Sequence, residues 1–120
     1  MALLLTLTIT QVWADGPELA SWYGPGYYNR TMANGRPFDS QALTAATWLD
    51  LPLGTRVVLM SPCRAVVVEL TDRMPRHPRI IVDVSEAAAS QLFCRDFRQQ
   101  GVTPVRIIGI VRVRLNLGLE

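Results

Sequence analysis

The chain contains no lysine; all twelve basic residues are arginine. It has one histidine, His77, and two cysteines, Cys63 and Cys94. Ligands so few and so scattered do not build a closed zinc site, so neither metal nor cofactor is expected. Excess charge is scarce too. Twelve arginines against ten acids leave a net charge of +2, too little to point to nucleic acid as a partner. One long apolar run exists, at residues 2–10. It is too short to span a membrane as a mature helix, so no stable membrane insertion is expected. Internal repeats and low-complexity tracts are absent from the sequence. The arginine-only inventory has two readings. The planar guanidinium fork suits carboxylates and sugar hydroxyls, but the same bias arises from genome composition alone.

What is present fits one small domain. The length is 120 residues and 49% are hydrophobic, enough for a compact core of modest stability. Residues 1–14, "MALLLTLTITQVWA", have the form of a secretory leader, with Val12 and Ala14 at the −3 and −1 positions of a cleavage site before Asp15. The alternative is a buried N-terminal strand. No cysteine follows the run, so a lipid anchor is not expected on the chain as written. An exported chain meets an oxidising compartment, where Cys63 and Cys94 would bridge. Such a bridge would contribute roughly 3–4 kcal/mol by restricting the unfolded chain. Two unpaired thiols are the alternative reading.

Residues 15–19 read as a linker and residues 20–117 as the domain. "LASWYG" reads as a strand ending at Gly24, followed by a long loop rich in Gly, Pro and Asn. Trp22, Tyr23, Tyr27 and Tyr28 cluster at its start. "ALTAAT" reads as a strand. Residues 55–72 read as a β-hairpin turning at "SPCR", and "RIIVDV" as another strand. Ser85 caps a helix, "EAAASQLF", with Glu86 in the first turn, where the helix dipole favours negative charge. Residues 103–117 end in strict alternation: Val111, Val113, Leu115 and Leu117 against Arg112, Arg114 and Asn116. Five to seven strands and one short helix suggest a small, mostly β barrel. Pattern alone goes no further, because a small barrel hosts many functions.

Four segments in order resemble one family. "ASWYG" (residues 20–24), "ANGRPFD" (33–39), "ALTAATWLDLPLGTRV" (42–57) and "VVVELTDRMP…RIIVDVSEAAA" (66–89) are similar to the rare lipoprotein A (RlpA) family. The resemblance implies a six-stranded double-psi β-barrel with one short α-helix. It implies an exported protein of the periplasm or cell envelope, acting as a monomer on peptidoglycan glycan strands. The activity it implies is lytic transglycosylation, cleavage between N-acetylmuramic acid and N-acetylglucosamine that leaves a 1,6-anhydro end. Expansins, in the same superfamily, bind and loosen wall polysaccharide, so a binding module without turnover is the alternative. A third reading is a partner-binding barrel that uses the arginine-rich loop 73–79.

Similarity assigns the chemistry to Asp83, with Asp72 its neighbour eleven positions earlier. An ordinary glycosidase needs two carboxylates. A lytic transglycosylase uses the sugar's own 6-hydroxyl as nucleophile, so one carboxyl can serve as acid and then base. That carboxyl must be protonated near neutrality, which requires a raised pKa. Burial among Ile80, Ile81 and Val82 and the charge of Asp72 would raise it; Arg73, Arg76 or Arg79 would lower it. A plain strand-end aspartate accepting backbone N–H bonds is the alternative for each acid. His77 reads as a solvated loop residue. Candidate substrate contacts are Trp22, Tyr23, Tyr27 and Trp48 for stacking, and Arg36, Arg73, Thr44 and Thr47 for polar groups; core packing is the alternative for the aromatics. Arg36 and Thr47 stand where the family pattern has an acidic residue and a histidine, and Met74 stands at a family glycine. These departures bear on catalysis more than on fold.

Overall fold

The computed structural model describes residues 18–111. The expected leader and residues 112–117 of the alternating segment lie outside the described residues. Seven strands are described: β1 (Leu19–Trp22), β2 (Thr44–Thr47), β3 (Arg56–Met60), β4 (Ala65–Arg73), β5 (Ile80–Val84), β6 (Thr103–Pro104) and β7 (Arg106–Val111). Two short helices, α1 (Glu86–Leu92) and α2 (Phe97–Gln100), and a 3₁₀ turn at Pro25–Tyr27 complete the elements. The count of strands exceeds the expected six because the last apolar segment is divided. Val105, fully buried, separates β6 from β7 and donates its N–H to the Glu18 carbonyl at 2.8 Å. The second helix, α2, is capped by Asp96, whose carboxylate accepts the Arg98 N–H; four residues are too few for a periodic signal in sequence.

The strands form one sheet in the order β6-β1-β5-β2-β4-β3-β7. β1 runs parallel to β5, and β2 parallel to β4, while the other pairs are antiparallel. The two end strands, β6 and β7, are separated in sequence by Val105 alone, which draws the edges of the sheet together. This is the double-psi β-barrel. Its main core holds Ala20, Val57, Leu59, Val68, Leu70, Val82, Val84, Leu92, Phe93 and Phe97, and Trp22 packs against it. α1 begins as its cap predicts: Ser85 Oγ accepts the Ala88 N–H and donates to the Ala42 carbonyl. Cys63 and Cys94 form a disulfide that ties the β3–β4 turn to the chain just after α1.

A second, smaller cluster lies on the other face of the central strands. There the loop after β1 folds back, and Tyr23, Met32 and Phe38 pack over Ala46. Gly35 closes the turn within this loop at φ 85°, donating to the Met32 carbonyl; a side chain there would be strained.

Candidate functional site

Four residues on four adjacent strands form one row beneath this loop. Ser21 pairs with Asp83 across β1–β5, Asp83 with Ala46 across β5–β2, and Ala46 with Asp72 across β2–β4. Directly paired residues share a face of the sheet. Asp83 and Asp72, eleven positions apart in sequence, therefore flank the small side chain of Ala46. Alternation alone would send Asp72 to the core side with Val66, Val68 and Leu70. A register shift between Ala45 and Ala46 passes over Thr71 and turns Asp72 outward.

The two carboxylates have different surroundings. Asp72 accepts three hydrogen bonds, each at 2.8 Å: from the Tyr23 hydroxyl and from the N–H groups of Ala33 and Arg73. Asp83 accepts one, from Ser21 Oγ at 3.1 Å. Burial raises the Asp83 carboxyl to about 6, opposed by the Ser21 hydrogen bond and assisted by the charge of Asp72. The sequence left its protonation to a contest between burial and arginine. Among the described residues no arginine shifts it: the Arg73 guanidinium donates to the carbonyls of Leu49 and Leu51 instead. The Tyr23 hydroxyl is raised well above the usual tyrosine range, by burial first and then by Asp72, so it stays a donor.

A depression of about 200 Å³ opens onto Asp72, walled by Tyr27, Arg30, Thr31 and the edges of Tyr23 and Phe38. Tyr27 is 47% exposed and meets Tyr23 edge-on, with the Arg30 guanidinium over its ring. A larger depression, about 460 Å³, lies elsewhere, between Leu43, Thr44, Arg56, Val67 and Glu69. It contains neither carboxylate of the row, whereas Asp72 lines the smaller one.

Several expected contacts sit differently. Trp22 is spent on the core, edge-to-face with Phe97 at 4.8 Å. Tyr23 is buried, stacked on Phe38, and offers its hydroxyl to Asp72 rather than a ring to a ligand. Thr47 is fully buried, its hydroxyl donating to the Ile81 carbonyl. Thr44 lines the larger depression, away from Asp72. Trp48 is half-buried; its indole N–H donates to the Ile80 carbonyl and Arg76 covers its ring at 5.0 Å. Arg36 is exposed on the Gly35 turn. His77 is a loop brace, its Nδ1 accepting the N–H groups of Arg79 and Ile80. Of the ten expected catalytic and substrate contacts, Asp83, Asp72, Tyr23 and Tyr27 come together. Ser21, Ala33, Arg30 and Phe38 join them without having been singled out. The signal for Ser21 was present: in "ASWYG" Ala20 faces the core and its neighbour must face the other way. Among the described residues no three His, Cys, Asp or Glu side chains converge to hold a metal, and no helix is long and apolar enough to cross a membrane.

The family described as lytic transglycolase matches residues 18–107. An endolytic peptidoglycan transglycosylase RlpA from Campylobacter jejuni is 37% identical over 102 residues, 83% of this chain and 36% of that protein. The namesake from Neisseria meningitidis is 40% identical over 93 residues, 77% of this chain and 38% of its own. The chain thus spans little more than a third of either relative. Among solved structures, a Streptomyces papain inhibitor superposes with a TM-score of 0.59 at 24% identity, covering 80% of this chain and 93% of that one; this likeness is one of fold. The matched span contains β1 to β6, the start of β7 and the whole Ser21–Asp83–Ala46–Asp72 row, and the chain belongs to the RlpA-like lytic transglycolase family of double-psi β-barrels.

Proposed function

We propose that this barrel cleaves peptidoglycan glycan strands in the cell envelope as an endolytic lytic transglycosylase, with Asp83 as acid and base. The protonated Asp83 carboxyl gives its proton to the oxygen that links the muramic C1 to the next sugar. The C1–O bond breaks, and positive charge develops at C1 near the negative charge of Asp72. The 6-hydroxyl of the same muramic unit then attacks C1, and its proton passes to the Asp83 carboxylate. Atoms balance without water. The observation that carries this reading is the contrast across Ala46: one carboxylate with three donors, the other half-buried, with one donor and a raised pKa. Such divergence of two neighbouring carboxyls is how acid–base roles are divided. The relatives' designation as endolytic peptidoglycan transglycosylases supports it.

The test is mass spectrometry of the soluble products released from purified sacculi and from peptide-free glycan strands. Anhydro-ended products that disappear with Asp83→Asn are the expected result. Products with reducing ends would mean hydrolysis and overturn the single-carboxyl mechanism. A second reading, wall binding without turnover, is favoured by Arg36 and Thr47, where the family pattern has an acid and a histidine. It predicts a protein that pellets with sacculi and releases nothing.

A further inference from the structure

Tyr28 presents itself upside down. A surface tyrosine ordinarily buries its ring and leaves the hydroxyl in water. Here the hydroxyl points inward and donates to Glu86 Oε2 at 2.5 Å, while the residue remains 45% exposed. Glu86 is itself only 7% exposed, and its other oxygen faces Arg98 at 3.6 Å. A buried carboxylate is costly unless it is paired; the phenol and the guanidinium pair this one. The consequence is a ring whose polar tip is tied down and whose apolar surface meets solvent at a fixed angle.

That ring is one wall of a polar depression of about 400 Å³, which Asn29, Asp39 and Ser40 also line. Phe38 borders this depression and also the one that opens onto Asp72. The two hollows therefore share one wall residue, one on each side of it. A pyranose has an apolar C–H face and a polar edge of hydroxyls and acetamido groups. A fixed aromatic wall beside amide, carboxylate and hydroxyl groups matches both. Fixing the ring beforehand also removes the entropy that a free side chain would lose on binding.

We propose that the Tyr28 depression is a sugar subsite of the glycan groove, holding a pyranose on the far side of Phe38 from Asp72. Glu86 is its positioning residue, setting the ring through the Tyr28 hydroxyl. The inference rests on the glycan reading above, and the experiment separates the two. Asp83→Asn serves as the background, so that ligand is not consumed. The probes are peptide-free peptidoglycan oligosaccharides of two and of eight sugars, followed by calorimetry and by NMR.

Tyr28→Ala is expected to weaken the octasaccharide about tenfold, the scale of one lost aromatic contact, and to leave the disaccharide unchanged. Tyr28→Trp restores the length dependence and shows that the fold survives change at this position. Tyr28→Phe and Glu86→Gln, which weaken the tie but keep the ring, give intermediate losses. Equal losses for both lengths, or none for either, overturn the subsite. An octasaccharide that shifts Tyr27 and Asp72 resonances but leaves Tyr28 unmoved overturns the subsite alone. An octasaccharide that binds nowhere overturns the glycan reading together with it.

Discussion

On the proposed reading, Asp83 is a compromise between folding and chemistry. Its carboxyl is raised from 3.8 to about 6, chiefly by burial. As the proposed general acid it must carry its proton, so kcat/KM is expected to fall about tenfold per pH unit above that value. A pH–rate profile on peptide-free strands checks this. Stability has the same sign. The unfolded chain releases this proton near the ordinary aspartate value, and the folded chain holds it until about pH 6. Between the two the native state binds more protons, so stability falls as pH rises through that window and stays reduced above it. The shift corresponds to about 3 kcal/mol at most. Asp83→Asn is therefore expected to abolish turnover yet stabilise the fold by about 1–3 kcal/mol near pH 7.5, with little gain near pH 3.5. Urea unfolding at the two pH values measures it; a destabilised variant at the higher value would contradict the burial argument.

The pair itself belongs to the strands. Ala46 sits between the two acids because β2 pairs with β4 on one side and β5 on the other. Its methyl group touches the Tyr23–Met32–Phe38 cluster and is 1% exposed. Ala46→Leu overfills that space, at about 1–3 kcal/mol, and pushes the loop that supplies the Ala33 N–H to Asp72. Turnover is expected to drop about 10²-fold, the usual cost of a misplacement near 1 Å, while circular dichroism remains native. The disulfide makes the opposite case. It closes a separation of 31 residues at the β3–β4 turn, and neither cysteine lines the Asp72 depression. Cys63→Ser with Cys94→Ser is expected to cost about 3–4 kcal/mol in chemical denaturation and to leave activity at room temperature unchanged.

For the whole molecule, the two functional readings differ in what a bound strand does next. Under both, the protein pellets with sacculi; only under the lytic one does Asp83→Asn separate pelleting from release. Retained pelleting with lost release is the expected outcome, and loss of both would assign Asp83 to binding. Sequence alone determined much of this architecture. Period-two runs and turn residues marked β3, β4 and β5, and the Ser85 cap marked α1, because these signals are local and each has a physical cause within a few residues. The order of the four segments pointed to the barrel and to Asp72 and Asp83. Tertiary structure decided the rest. A one-residue shift at Ala46 turned Asp72 onto the face of Asp83, and a shift in pairing leaves no mark in composition or period. The loop carrying Met32 and Phe38 buried most of the Tyr23 ring and gave its hydroxyl to Asp72. Trp22 and Thr47 went inward, and Arg73 went to carbonyls. Residue type states what a side chain can do; which partner it meets depends on strands far apart in sequence, and only their packing fixes that.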